Sequence, residues 1–164
     1  RLRQRLAADE ESQLGLLARC ERCGDQAVQS LLKLSGWRSC RCTDGKGRWA
    51  VTGPLWIGPL QMPAVLDQLL NLAGSQPETL STAGRRLLLR LQRDCGLPVC
   101  CWSTAELASR LSLAGPPPLE KLVQSLLSAG HKACPSAVMN GQLRTDAPMA
   151  ELLQQCVEYM TGDR

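Results

Sequence analysis

Gly53-Pro54-Leu55-Trp56-Ile57-Gly58-Pro59-Leu60 divides the chain into two unlike parts. Pro54 and Pro59 carry no backbone donor and fix φ, which excludes a central strand. Gly53 and Gly58 permit backbone shapes closed to other residues. Trp56 and Ile57 are apolar enough to pin the segment onto a neighbour. The octapeptide therefore predicts a stiff, bent connector with an aromatic anchor. Paired cysteines precede it and helical periodicity follows it. The expected organisation is 1–12 as the end of an upstream element, 13–60 as a cysteine ribbon closed by the connector, and 61–164 as a helical domain. The fold class that follows is α+β: a small Cys-rich, zinc-ribbon-like module, then a mainly helical domain with the element order of a winged helix.

Upstream of the connector, Cys20-Glu-Arg-Cys23-Gly24 has the form of a metal knuckle. Two thiolates at this spacing can face one ion, and the glycine permits the tight turn. Cys40-Arg-Cys42 supplies a second half, with one intervening residue instead of the usual two. Four sulfurs around one Zn²⁺ make a closed structural site with no open position for catalysis. The alternative is four reduced thiols in a ribbon that has lost its metal. Short pieces such as 16–19 and 48–51 read as strands. Nine cysteines, with no secretory signal, argue for reduced thiols in a cytoplasmic protein. Cys95, Cys100, Cys101, Cys134 and Cys156 read as small buried hydrophobes.

Downstream, apolar residues recur at helical spacing over 62–72, 80–95, 103–113 and 119–129. Ser103-Thr-Ala-Glu106 has the form of a capping box, and Asp146-Ala-Pro148 reads as the N-cap of a last helix reaching about Met160. Between them, 131–143 is less regular. Three helices and then an extended stretch is the order of a winged helix, whose third helix would present Lys121, Gln124 and Ser125 outward. Scarce aromatics, five in all with no Phe, and a leucine-rich interior favour helices over a sandwich or barrel.

The net charge of +4 lies in residues 1–48, with ten Lys/Arg against six Asp/Glu; residues 49–164 balance at nine against nine. Arg38, Arg41, Lys46 and Arg48 cluster there, interleaved with Trp37 and Trp49, a mixture suited to RNA. The same tryptophans would also serve as the ribbon's core. Arg86, Arg90 and Arg93 follow i, i+4, i+7 along one helix face, opposite Leu87, Leu88, Leu91 and Cys95. That face fits a phosphate-contacting ridge or a solvated side of a packed helix. No run has the length of a membrane span. The chain also lacks a glycine-rich phosphate loop, a nucleophile elbow and paired catalytic carboxylates. The first residue is Arg1, so the chain is expected to begin inside a longer protein.

Taken together, Cys20-x-x-Cys23-Gly24, the octapeptide, and Gly130 followed by Arg144-Thr145-Asp146-Ala147-Pro148 resemble the C-terminal half of the tRNA guanine-26 N2-dimethyltransferases. The resemblance runs from about Leu14 to the end of the chain. It implies a missing upstream Rossmann-like domain that binds S-adenosylmethionine and carries an Asp-Pro-Pro-type catalytic motif. It implies that this part helps to bind tRNA and orient the target guanine. No catalytic residue is carried over, and the chain alone is expected to be inactive. Cys20, Cys23, Cys40 and Cys42 take the positions of the family's metal cysteines. Gly53, Pro54, Trp56, Gly58 and Pro59, with Thr145, Asp146 and Pro148, hold its structural motif positions. The residues expected to contact RNA are Arg38, Arg41, Lys46, Arg48, Arg86, Arg90, Arg93, Lys121, Lys132 and Arg144. The expected partners are tRNA and the upstream domain of the same protein.

The chain departs from the family at two places. Ala133-Cys134-Pro135-Ser136-Ala137 stands where the family usually has Ala-Ser-Arg-Thr-His, and Gln61-Met62 replaces the commoner His-Asp. Two other functions suit the same pattern. A DNA-binding regulator with a zinc ribbon and a winged helix would need a recognition helix rich in base-reading side chains, and 119–129 offers only Lys121 and Gln124. A protein-interaction module would suit the charge balance of 49–164.

Overall fold

A computed structural model describes residues 8–40, 42 and 47–162. The described chain forms two compact units, one running up to Gly58 with Pro148–Glu151, the other comprising Pro59–Ala147 and the residues from Leu152 onward.

The first unit opens with a short helix, α1 (Ala8–Ser12), followed by β1 (Leu14–Cys20), β2 (Gln26–Ser30), a 3-10 turn over Leu31–Lys33 and β3 (Trp49–Trp56). The strands form an antiparallel sheet in the order β2-β1-β3. Gly15, Ala18 and Cys20 of the central strand turn inward. Gly24, at φ +79°, closes the turn from β1 to β2.

The octapeptide is only partly a connector. Gly53–Trp56 is the end of β3 and pairs with β1, and the Gly53–Pro54 peptide is cis. The register slips between Gly15 and Leu17, where this pair passes. β3 is an outer strand, where a residue without an N–H is tolerated. Gly53 is required there: at φ +148° a Cβ would come within 2.9 Å of the Gly15 carbonyl oxygen and 2.8 Å of Leu16. Trp56 stands opposite Leu14 and is 42% exposed, so it is not the expected buried anchor. The pinning is done next door, where Ile57 N donates to Gln13 O at 2.7 Å and buried Gly58 lies against the Gln13 side chain.

The second unit contains α2 (Pro63–Ser75), α3 (Thr82–Arg93), β4 (Cys101–Ser103), α4 (Thr104–Arg110), α5 (Leu119–Ser128), β5 (Ala133–Pro135) and β6 (Gln142–Thr145). It also contains α6 (Met149–Gly162) beyond its first turn. α2 passes through Gly74, the expected stop, and ends at Gln76, which precedes Pro77 and is biased away from helix. α3 is capped by Ser81, whose Oγ accepts from Gly84 N at 3.1 Å, and α4 by Ser103, whose Oγ accepts from Glu106 N at 3.4 Å. The 131–143 stretch is a hairpin rather than irregular chain: β5 and β6 join β4 in an antiparallel sheet ordered β4-β6-β5. The core is built from Leu66, Trp102, Leu107, Leu122, Leu126, Leu143 and Leu152.

Asp146 does not cap α6. Its Oδ1 accepts from Lys132 N at 2.9 Å, while Thr145 Oγ1 accepts from Ala147 N at 3.1 Å. The helix starts at Met149, whose N–H donates to buried Asp25 Oδ1 at 3.2 Å within the first unit. A carboxylate distant in sequence thus takes an orphan helix donor that a local Asx cap would otherwise take.

Candidate metal centre and basic surface

Cys20 closes β1 and Cys23 sits in the turn that follows, while Cys40 and Cys42 precede β3. The fold brings all four sulfurs within 4.8 Å of one another, with Cys20 and Cys40 buried and the other two half-buried. Cys20 Sγ and Cys42 Sγ are 4.0 Å apart, and Cys23 Sγ and Cys40 Sγ 3.2 Å apart. Four sulfurs held about 2.3 Å from one Zn²⁺ at tetrahedral angles lie about 3.8 Å from each other, so the cluster is of the right size.

Backbone donors are aimed at these sulfurs. Cys23 N approaches Cys20 Sγ at 3.5 Å, and the Arg22 amide also serves Cys20. The amide of Asp25 serves Cys23 and that of Cys42 serves Cys40. Burial pushes the Cys20 thiol up, but these amides and the neighbouring Cys40 thiol outweigh it and bring its pKa to about 7. Burial raises the Cys23 and Cys40 thiols. Gly47 seals the cradle: a Cβ there would lie 2.5 Å from Cys20 Sγ and 2.6 Å from Cys42 Sγ. The donor set, the spacing and this glycine all fit a tetrahedral thiophilic ion.

Around the cluster, Arg38 and Arg48 are exposed, while Arg41 and Lys46 lie outside the described residues. Arg38 is 54% exposed at its side chain and stands 4.0 Å from Asp25 Oδ2. Its carbonyl accepts from Trp49 Nε1 at 2.7 Å, and Trp37 and Trp49 form a tilted pair with centroids 6.4 Å apart.

In the second unit, Arg86, Arg90 and Arg93 are exposed along α3, and Arg85 joins them. Arg90 Nη2 donates to Ser136 O at 3.1 Å, which ties it to the β5–β6 hairpin. Beside the arginines α3 also leaves apolar surface open on two sides: Leu87 is 45% exposed, and Leu89, which lies between Arg85 and Arg93, is 42% exposed. Lys132 is exposed beside the hairpin, and Lys121 is exposed on α5. Ser125, expected to point outward, is half-buried and donates to buried Gln155 Oε1.

Arg144 is a correction. It was expected to contact RNA and is 1% exposed. Its Nε donates to Pro98 O at 2.7 Å and its Nη2 to Leu97 O at 2.5 Å; its Nη1 donates to Asp94 O at 3.2 Å and Gln61 Oε1 at 3.3 Å. Nη1 also lies 2.9 Å from Asp94 Oδ1, a charge contact without hydrogen-bond alignment. Asp94 Oδ2 in turn accepts from Gln61 Nε2 and Ala137 N. Gln61, Asp94 and Arg144 thus form one buried polar network that holds the α3–β4 loop to the sheet. Only one hint of it is visible in the sequence: Asp94 is an acid at a helix C-terminus, where the dipole disfavours it.

No helix among the described residues is long and apolar enough to cross a membrane. The sequence pattern of a family described as N2,N2-dimethylguanosine tRNA methyltransferase matches residues 2–157. A tRNA (guanine(26)-N(2))-dimethyltransferase of Methanosarcina mazei is 23% identical over 139 residues, which cover 85% of this chain and 35% of the relative. One from Thermococcus kodakarensis is 33% identical over 101 residues, covering 59% of this chain and 25% of the relative. The solved structure of Trm1 from Pyrococcus horikoshii with S-adenosyl-L-methionine superposes with a TM-score of 0.66 at 18% identity, over 90% of this chain and 36% of that one. The matched region thus spans between a quarter and little more than a third of the length of these proteins.

Proposed function

The chain belongs to the N2,N2-dimethylguanosine tRNA methyltransferase family, and we propose that it is the tRNA-gripping portion of an S-adenosylmethionine-dependent enzyme that methylates the exocyclic amine of a tRNA guanine. The observation that carries this reading is the family match over residues 2–157, beside relatives that align with this chain over 25–35% of their own length. The methyl donor and the catalytic groups belong to the part of the enzyme outside this chain, a Rossmann-like domain upstream in the same cytoplasmic protein. The chain alone carries no turnover.

Cys20, Cys23, Cys40 and Cys42 hold a structural Zn²⁺ in a ribbon. Four thiolates saturate the ion and leave no position for a substrate, so the metal stabilises this unit and polarises nothing. The order α3-β4-α4-α5-β5-β6 is that of a winged helix, with α5 as its third helix and β5–β6 as its wing. The exposed face of α5 presents Glu120, Lys121, Gln124, Leu127 and Ser128. One cation offset by one anion makes a poor groove reader, which disfavours the DNA regulator. The grip comes from Arg85, Arg86 and Arg93 on α3, with Lys132, Arg38 and Arg48 adding charge. Such contacts position a backbone and carry no base information.

A second role suits the apolar side of the helical pair. Val65, Leu69 and Leu72 of α2 and Leu87 of α3 are 42–50% exposed. This face packs against the remaining two thirds of the full-length enzyme.

Binding of the chain to bulk tRNA and to duplex DNA at several salt concentrations tests the reading. Preference for tRNA with a steep salt dependence is expected. Replacing Arg86 and Arg93 by Ala should lower the slope of log K against log salt by about one for each phosphate no longer neutralised. Arg90 is the poorer choice because its replacement also frees the hairpin. An unchanged slope removes the α3 ridge from the interface. Equal or tighter binding to DNA overturns the tRNA assignment.

A further inference from the structure

A groove of about 420 Å³ opens in the first unit, with Ala27–Gln29 of β2 as one wall and Ser35–Arg38 as the other. This is within the size range of small-ligand sites. It belongs neither to the thiol cluster nor to the α3 ridge. We propose that it is a stacking site for a single unpaired RNA nucleotide, with Trp37 against the base and Arg38 on the adjoining phosphate. The proposal rests on the tRNA-binding reading and adds a distinct subsite to it.

The groove is prebuilt. Gln29 Oε1 accepts from Ser35 N at 2.9 Å, and Ser30 Oγ accepts from Leu32 N at 3.3 Å, which fixes the 31–36 segment over β2. Trp49 Nε1 clamps the Arg38 carbonyl at 2.7 Å. Trp37 is half-buried, leaning on Trp49 while it lines the groove, so its ring orientation is set before a ligand arrives. A fixed ring stacks a base at little entropic cost. Arg38 is 54% exposed, and its carboxylate neighbour, Asp25, stands 4.0 Å away with its other oxygen engaged by Met149 N. A guanidinium in that position can turn to a phosphate. Among the described residues β2 is an outer strand, and alternate backbone amides of its far edge could supply donors and acceptors to a base edge. An aromatic ring, a half-exposed guanidinium and strand amides in one groove suit a splayed nucleotide better than a peptide side chain. Aromatic platforms of this kind are used to bind single strands.

A short single-stranded RNA carrying 2-aminopurine at one position is the probe, titrated into the full 164-residue chain. Stacking on Trp37 should quench the probe, and Trp37→Ala should abolish the quench and weaken binding roughly 5- to 150-fold, the range measured for single base–aromatic stacks. The salt slope should be unchanged in Trp37→Ala and lowered in Arg38→Ala, because stacking displaces no counterions. Trp37→Phe should restore most of the affinity, and it controls for loss of fold. Three outcomes overturn the proposal: a Trp37→Ala chain that binds the probe as the parent does, a Trp37→Phe chain as weak as Trp37→Ala, or a groove that takes an extended acidic peptide in preference to the RNA. If whole tRNA still binds with its steep salt dependence while the probe leaves Trp37 unperturbed, the groove assignment fails alone. If neither tRNA nor probe binds, the functional reading fails with it.

Discussion

The two units of this chain solve the problem of a small core in opposite ways. Among the described residues, the first unit buries Ala18, Cys20, Cys40 and Met149 as its apolar side chains, and leaves Val28, Leu32, Leu34, Val51 and Leu55 at least 40% exposed. The second unit buries Trp102, Leu107, Leu122, Leu126, Leu143 and Leu152, each at most 4% exposed. Burying a leucine is worth roughly 2–3 kcal/mol, so the second unit has a hydrophobic driving force that the first lacks. Domains with too little core use metals or disulfides as staples. The first unit has four convergent thiols where its core would be; the second has a salt bridge within a core that is already sufficient. On the proposed reading one polar centre, once it holds its ion, keeps its unit together, and the other fixes a detail of a unit that coheres without it.

Metal removal is the strongest way to break this comparison. Structural Zn²⁺ in small thiolate sites contributes on the order of 10–16 kcal/mol at neutral pH, as much as the whole stability of a typical domain. A strong chelator, or Cys23→Ser, should therefore unfold the first unit and leave the second helical. Amide spectra would show collapse of the dispersion of residues 14–56 while the β4-β6-β5 sheet signals persist. An ordered ribbon after metal stripping would mean that the three-stranded sheet suffices, and the proposed role of the thiols would be wrong.

Arg144 and Asp94 come next. Truncating one partner of a buried ion pair strands the other, at a cost of about 3–5 kcal/mol. Arg144→Met should thus lower the urea midpoint of the second unit sharply and change tRNA affinity only through the loss of fold. Arg144→Met combined with Asp94→Leu should recover much of the loss, because two apolar side chains remove the stranded charge. An Arg144→Met chain of unchanged stability but weakened tRNA binding would return this residue to the interface.

The same contrast explains what was legible in the sequence. The helices were readable because 3.6-residue periodicity and a local cap such as Ser103 are properties of neighbouring residues. The cysteines were readable because a knuckle is also local. Three features were not. β3 swallowed half of the octapeptide because strand pairing is decided by β1, over 30 residues away in sequence. The Asp146 cap failed because Asp25 from another part of the chain occupies the site that a local cap would take. Arg144 was misassigned because an arginine is by default a surface residue. Only its partners, Asp94, Gln61 and the Leu97 and Pro98 carbonyls, show that it is not. Each failure has the same physical origin, a long-range partner that local pattern cannot name.

The smallest test compares thiols rather than cores. Cys20 is held near pKa 7 by backbone donors, whereas Cys156, 0% exposed on α6, is pushed by burial from 9.0 to about 11. Cys156 therefore behaves as a small hydrophobe that stays protonated. Its folded pKa lies above its unfolded value, so the stability it contributes is complete below pH 9 and drains away as pH rises toward 11, when the unfolded thiol ionises first. Linkage limits the loss to about 1–3 kcal/mol. Urea midpoints of the second unit at pH 7, 9 and 10.5 should fall for the parent chain. They should fall less steeply for Cys156→Ala, which begins lower because of the methyl-sized cavity it opens. Parallel curves for the two chains would mean that Cys156 is hydrated in the folded state and that α6 seals its unit less tightly than the geometry requires.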